Sequence, residues 1–319
     1  MKNKDEIEFK QESINNCPVC LSSEIRFHLS KFDDRYGQAD IFHLYRCLEC
    51  DAVFLKNRIK EAEHPPLYEK YYIFLSKINK KTSTKEAFFW LQKMIMKVAG
   101  EFFLIGKMNY EAKVLEIGPG DVSQLSMHSI KKNKLKWIGL EVNEKCAKNI
   151  KGKGLDVYRE SFGDFISRGM KFDSIILSMS IEHLHDPILF FGNCKKVLHE
   201  DGVIFLTTAN LDSRYREKYN KRWINWHVPY HQVLFSKKSI KMICENNGFY
   251  IKKYHTSTPT SWFLLQKKFS IPTRGKINTD CAMSFSFVDY LLFSVFLRFY
   301  EFFSRNSGDC MYCEIKLRK

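Results

Sequence analysis

From Lys113 onward, strand-like and helix-like segments alternate along the chain, and that alternation leaves few folds open. Strands are expected near 113–117, 136–142, 155–159, 173–179 and 202–209, with helices between them near 123–132, 144–152 and 187–199. Such alternation builds a parallel sheet with helices on both faces. Gly152, Gly154 and Gly202 mark helix ends or turns. A further helix over about 237–247 ends at Gly248 and leads into a strand near 249–256, and 309–318 reads as the last strand. The chain has 319 residues, 45% of them hydrophobic, enough for a core domain plus a module. The sequence divides into a polar lead (1–16), a cysteine module (17–60), a linker and helical region (61–110) and the α/β domain (111–319).

The module is defined by Cys17-Pro-Val-Cys20 and Cys47-Leu-Glu-Cys50, two CxxC pairs separated by 26 residues. Each pair makes a tight knuckle presenting two thiolates, and two knuckles complete the tetrahedral Cys₄ set of structural zinc. With four protein ligands no position stays open for water, so the metal is expected to be structural. Met1–Lys10 is charged and carries no apolar core of a signal peptide, which reads as cytoplasmic. Ten cysteines in that setting suit metal binding and buried thiols better than a disulfide framework. Cys310 and Cys313 share the spacing, but they fall in the last expected strand and read as ordinary strand residues.

The first strand of the alternating run ends in Glu116-Ile-Gly118-Pro119-Gly120-Asp121. Glycines there let the backbone approach a ligand closely. The dinucleotide pattern G-x-G-x-x-G fails, because Ser123 takes its last position. Glu116 would repel a pyrophosphate but suits the cationic amino-acid end of S-adenosylmethionine. Glu141, 21 residues past Gly120, stands at the end of the next strand, where it can accept the ribose hydroxyls. The fourth strand ends at Ser178 and runs through Met-Ser-Ile-Glu182-His183-Leu-His-Asp186 to Pro187, which opens a helix.

Taken together these pieces resemble class I S-adenosylmethionine-dependent methyltransferases, over about residues 110–256 and the last strand. The resemblance implies a Rossmann-like, seven-stranded, mostly parallel sheet preceded by a zinc-ribbon-like module. It implies that Glu116, Gly118 and Gly120 line the methionine side, with Pro119, Asp121 and Ser178 beside them. Glu141 would hold the ribose, and Phe162, Gly163 and Asp164 would lie near the adenine. Val122 stands where the family often has a third glycine. Ubiquinone-type O-methyltransferases carry an acid three residues before the Glu-His pair; here that residue is Met179, which implies no catalytic metal. The two CxxC pairs, Tyr45-Arg-Cys-Leu-Glu-Cys-Asp-Ala-Val-Phe54 and the Leu67–Tyr72 segment resemble methyltransferases of deoxysugar and surface-polysaccharide pathways.

Methyl transfer often requires a proton to leave the acceptor, a task suited to histidine. His183, after the fourth strand, and His227 and His231, after the fifth, are the candidates, with His231 favoured as base or anchor. The aromatic stretch Trp223–Ser236 is expected to lie where a substrate lid would, and Tyr71 and Tyr72 to close over the substrate or pack the linker. The acceptor expected is a small molecule, a sugar or nucleotide-sugar. A net charge of +15 keeps a zinc-containing RNA methyltransferase as an alternative, and a non-catalytic binding scaffold is another. Against RNA, the zinc segment is not strongly basic. The aromatic segment 284–304 is interrupted by Asp289, Arg298 and Glu301, which argues against a membrane span and for a helix packed on the domain or resting on a membrane surface.

Overall fold

The computed structural model describes residues 8–71, 100, 104, 107–120, 122, 124–282, 285–304 and 306–319. Asp121, Tyr72 and most of the helical pattern expected between 61 and 110 lie outside the described residues.

In the N-terminal part, β1 (Gln11–Ser13), β2 (Ile25–Phe32), β3 (Ile41–Cys47), β4 (Val53–Leu55) and β5 (Asn57–Ile59) precede helix α1 (His64–Tyr71). Residues 8–16 of the polar lead, expected to be flexible, are tied into the structure. Gln11–Ser13 pairs antiparallel with Asn57–Ile59, and Phe9 is buried, because one aromatic anchor and three ladder residues outweigh the polar neighbours.

The α/β part runs β6 (Lys113–Ile117), α2 (Gln124–Lys132), β7 (Lys136–Leu140), α3 (Glu144–Gly152), β8 (Asp156–Tyr158), α4 (Phe162–Phe165), β9 (Phe172–Ser178), α5 (Pro187–Val197) and β10 (Leu198–Ala209). It continues through α6 (Arg214–Tyr219), β11 (Val233–Leu234), α7 (Lys237–Asn246), β12 (Phe249–Ser257), α8 (Thr260–Lys268), α9 (Phe287–Phe303) and β13 (Cys310–Leu317). Local chemistry sets several helix starts. Asn143, Ser161, Asp186 and Ser236 each accept a backbone N–H of the first turn, and Pro187 follows its cap directly.

Seven strands form one sheet in the order β12-β13-β10-β9-β6-β7-β8. The five from β8 to β10 are parallel, and β13 inserts antiparallel between β10 and β12. This is the seven-stranded, mostly parallel Rossmann-like sheet expected. Its strands are apolar runs buried on both faces, as Val114–Ile117 and Ser174–Leu177 show. The chain steps outward from β6 to β8, then returns to place β9 against the other side of β6. Ligands of such sheets bind at the carboxyl ends of the strands flanking this reversal.

A second sheet, β11-β4-β3-β2, joins the two parts of the chain. Val233 and Leu234, from the loop after β10, pair antiparallel with Phe54 and Val53 of the cysteine module. The stretch Trp223–Ser236 is therefore buried throughout rather than an exposed lid. Its aromatic residues Trp223, Trp226 and Tyr230 are among the largest fully buried side chains, and they pack against Phe42, Leu44 and Leu55 of the module.

Helix α9 turns Ser294, Arg298 and Glu301 inward, while Asp289 in its first turn is exposed. Arg298 donates to Thr258 O at 2.7 Å and pairs with Glu301 at 3.1 Å, while Ser294 contacts Thr260 at 3.0 Å. Phe287, Leu292, Phe296, Phe299, Phe302 and Phe303 face outward and exposed. Among the described residues no helix is long and apolar enough to cross a membrane.

Candidate active site and metal centre

The turn after β6 starts from Gly118 and Gly120, which hold φ of +64° and +58° on either side of Pro119. These left-handed conformations favour glycine over any residue with a Cβ. A Cβ on Gly118 would stand 3.2 Å from Ser180 Oγ, whereas one on Gly120 would meet nothing within 4 Å, so the turn opens on that side. Gly118 N donates to Leu140 O at 2.9 Å, and Ser180 Oγ donates to Ile117 O at 2.9 Å, tying the turn to β7 and to the loop after β9.

Two carboxylates flank the turn. Glu116 is buried, and one oxygen accepts the Trp137 indole N–H at 2.8 Å. Trp137 reaches it across Gly139, where a Cβ would stand 2.6 Å from the ring. Burial pushes the Glu116 carboxyl up to about 7, with the indole bond opposing. Glu141 accepts Gly120 N at 2.9 Å through one oxygen and Asn143 N at 2.8 Å through the other, while burial raises its carboxyl. Each carboxylate oxygen retains a second lone pair for a ribose hydroxyl. An open glycine turn between two buried acids suits the cationic methionine end and the ribose of S-adenosylmethionine.

Of the residues expected near adenine, Phe162 packs on Phe190 with centroids 5.2 Å apart, and Gly163 lies in the same short helix α4. Asp164 is engaged locally, accepting the Ser161 hydroxyl at 2.7 Å in the cap of that helix. Ser178 is exposed at the end of β9 and accepts the Thr207 hydroxyl at 3.4 Å. Met179 follows with φ +53°, a left-handed strain that re-aims the chain into the Glu182-His183 turn.

All three candidate histidines come together. The turn Ile181–His183 meets the buried loop, and Gln232 N donates to Glu182 O at 2.6 Å. His231 Nδ1 donates to Asn225 O at 2.8 Å, which leaves Nε2 with its lone pair. That Nε2 lies 4.0 Å from Glu182 Oε1 and 3.4 Å from His227 Nδ1. The His183 and His231 rings meet edge to face, 4.8 Å between centroids, and His183 Nδ1 is 2.8 Å from the Tyr68 hydroxyl. Glu182 is fully buried; Oε2 accepts the Thr208 hydroxyl at 2.8 Å, and Oε1 has no hydrogen-bond partner. Desolvation lowers His183 to about 4 and holds His227 and His231 well below their ordinary value, so all three are neutral near pH 7. It raises Glu182 to about 7.

Tyr68 lies in the Leu67–Tyr72 segment picked out in the sequence, but its contact with this corner was not legible there, because it depends on α1 folding back. Glu182 was legible only as the partner of His183. Tyr71 packs edge-on against Phe9 at 6.1 Å, the linker-packing outcome.

The four paired cysteines also converge. Cys17 and Cys50 sulfurs are 3.5 Å apart, as are those of Cys20 and Cys47, and all four lie within 4.8 Å of one another. Tetrahedral zinc with Zn–S near 2.3 Å separates its sulfurs by about 3.8 Å, so the set fits that ion. Both knuckles repeat one backbone design. Leu21 N and Asp51 N donate to Cys17 O and Cys47 O, and Leu21 and Asp51 both take φ near +65°. Val19 N also donates to Cys17 Sγ at 3.4 Å. The thiol of Cys50 donating toward Cys17 lowers Cys17 to about 6, whereas burial raises Cys20 to about 11. Cys310 and Cys313 are buried residues of β13, as expected of strand residues.

The expected place of Glu116 at the methionine end predicts a pH-dependent cofactor affinity. Its carboxyl holds a proton more tightly in the folded chain than in the unfolded one, so ionising it costs stability as pH rises from about 4.5 to about 7. A bound cation favours the ionised form. S-adenosylmethionine should therefore bind more weakly as pH falls below 7, by up to roughly tenfold per unit. Calorimetric titration at pH 6 and 8 reads this, and Glu116→Gln should flatten the dependence.

A family model described as a methyltransferase domain matches residues 90–254, more than half of the chain. A ubiquinone biosynthesis O-methyltransferase from Actinobacillus pleuropneumoniae serotype 5b (strain L20) is 34% identical over 76 residues, 22% of this chain and 32% of that protein. The chain thus spans about a third of the length of that curated relative. Among solved structures, a SAM dependent methyltransferase from Archaeoglobus fulgidus is similar at 18% identity, covering 77% of this chain and 99% of that one, with a TM-score of 0.44. The cyclopropane synthase MmaA2 from Mycobacterium tuberculosis is similar at 16% identity, covering 70% and 83%, with a TM-score of 0.43. With the family match over more than half its length and the strand order above, the chain belongs to the methyltransferase-domain family, its α/β part being a class I S-adenosylmethionine-dependent methyltransferase domain.

Proposed function

We propose that the protein transfers the methyl group of S-adenosylmethionine to an oxygen of a small hydroxylated acceptor, a sugar or nucleotide-linked sugar, and that Cys17, Cys20, Cys47 and Cys50 hold a structural zinc. The carrying observation is the buried corner of Glu182, His183 and His231, linked to the glycine turn through Ser180. In the transfer, the acceptor oxygen attacks the methyl carbon, the carbon–sulfur bond breaks and neutral S-adenosylhomocysteine leaves. The acceptor proton passes to the histidine corner, where the bare Nε2 of His231 is the acceptor of choice. Burial keeps the histidines unprotonated and also makes them weaker bases, so the Glu182 carboxylate, 4.0 Å from His231 Nε2, is needed to steady the imidazolium that forms.

An enclosed corner supports a small acceptor over a polynucleotide. His231 is 5% exposed, and the loop that carries it lies beneath the cysteine module. The O-methyltransferase activity of the ubiquinone-pathway relative accords with an oxygen acceptor over the segment the two share. The basic surface suits the diphosphate of a nucleotide-sugar.

The test is calorimetric titration of S-adenosylmethionine and S-adenosylhomocysteine, beside Glu141→Ala. That variant removes hydrogen bonds to a charged group, worth about 1.5–3 kcal/mol, so affinity should fall roughly ten- to hundredfold. Nucleotide-sugars are then screened as acceptors against RNA. Absence of cofactor binding by folded, zinc-replete protein would leave a binding scaffold as the reading.

A further inference from the structure

The corner that carries the histidines is built as a second metal site. A carboxylate oxygen of Glu182 and one ring nitrogen each of His183 and His231 all lie within 4.8 Å of one another. The expectation of no catalytic metal rested on Met179 in place of an acid. The fold instead brings His231 to this corner on a separate loop, fixed by the pairing of Val233 and Leu234 with the cysteine module.

Three features separate this cluster from a chance meeting of polar groups. First, Glu182 Oε1 is buried with no hydrogen-bond partner, a loss of about 1–3 kcal/mol for an ordinary polar group and more for a charged one. A cation is the ligand such an oxygen lacks. Second, the outer hydrogen bonds are those of metal-binding imidazoles. His231 Nδ1 donates to the Asn225 carbonyl, fixing the tautomer that aims a lone pair inward, and the Tyr68 hydroxyl engages His183 Nδ1. Third, what His231 Nε2 meets now is poor: His227 Nδ1 at 3.4 Å and a carboxylate oxygen at 4.0 Å.

The geometry points to a divalent transition-metal site formed by Glu182, His183 and His231, zinc being one ion that two imidazoles and one carboxylate bind. Three protein ligands leave coordination positions open, the arrangement of catalytic rather than structural zinc. Resting on the oxygen-acceptor reading above, the ligand for an open position is the acceptor hydroxyl, whose proton the ion would make easier to remove; His231 Nε2 then holds the ion rather than taking that proton, which passes instead to His227, whose Nδ1 lies 3.4 Å from His231 Nε2. The metal site itself does not depend on that reading.

The experiment is metal analysis by mass spectrometry of the full chain, dialysed after incubation with excess zinc. Wild type is compared with Glu182→Gln and His231→Gln, which keep side-chain size. Each variant should hold one equivalent fewer than wild type, whatever the occupancy of the cysteine site. Thermal unfolding and S-adenosylhomocysteine titration on the same samples establish that the variants are folded. Equal metal content in wild type and folded variants overturns the site. Should one variant fail to fold, the other carries the comparison. Should both fail, cobalt titration of wild type replaces it: a second equivalent with nitrogen and oxygen ligation supports the site, and a single thiolate-bound equivalent overturns it. Cofactor titration keeps the two readings apart: a second metal without cofactor binding sinks only the methyltransferase reading, and cofactor binding without the metal sinks only the site.

Discussion

Replacing Cys50 by Ser should remove the structural zinc proposed for the four-cysteine site and lower the melting temperature by roughly 10 °C or more. Structural zinc contributes on the order of 10 kcal/mol in isolated zinc-finger peptides. Even a fraction of that is large here, because about 1 kcal/mol shifts the midpoint of a domain of 150–250 residues by roughly 2–4 °C. The effect should also travel. Cys50 O accepts the Ser236 hydroxyl at 3.3 Å, and Cys17, Cys50 and Phe54 belong to the same apolar core as Phe235 and Ile240. Losing the knuckles loosens β4, then its partner β11, and with it the loop carrying His231. Turnover should therefore fall further than cofactor affinity, since the glycine turn and its two acids are held by β6, β7 and β9. Scanning calorimetry with metal analysis reads the stability, and titration of S-adenosylhomocysteine reads the cofactor site. An unchanged midpoint with unchanged metal content would reduce the four cysteines to buried thiols.

What the sequence made legible were features encoded within a few residues. Strands buried on both faces are near-continuous apolar runs, so β6, β7, β9 and β10 could be placed from pattern alone. The turn at Gly118 and Gly120 was visible because only glycine is at ease at φ near +60°. The CxxC spacing announced the knuckles for the same local reason. What stayed hidden depends on contacts between distant segments. Nothing in Val233-Leu234 says that it will pair with Val53 and Phe54, yet that pairing turns an expected lid into a buried layer. Tyr68 reaches His183 across 115 positions, and Phe9 is anchored by a ladder to Asn57–Ile59. The three charges in 284–304 argued against a membrane span and for a helix packed on the domain or resting on a membrane surface; two of them, Arg298 and Glu301, turn inward to Ser257 and Thr258, and the phenylalanines face outward.

His231→Ala should lower turnover by about 10²–10⁴, the usual contribution of a positioned acid or base, and leave S-adenosylhomocysteine affinity nearly unchanged. The separation follows from connectivity. His231 is fixed by Asn225 O and faces Glu182 Oε1, whereas the glycine turn proposed to bind the cofactor hangs from Leu140 O, Glu141 and Ser180. The variant also leaves Glu182 more isolated and opens a small cavity, so a stability loss of about 1–3 kcal/mol should accompany it. Thermal unfolding measured beside kinetics keeps the two effects distinct, with assays run well below the lowered midpoint. A fall in kcat with cofactor affinity intact places His231 in the chemistry of the acceptor. Parallel losses of turnover and cofactor affinity at a temperature where the variant is folded would instead make it a strut between the buried loop and β9. The roles proposed for Glu182 and His183 would then have to stand without it.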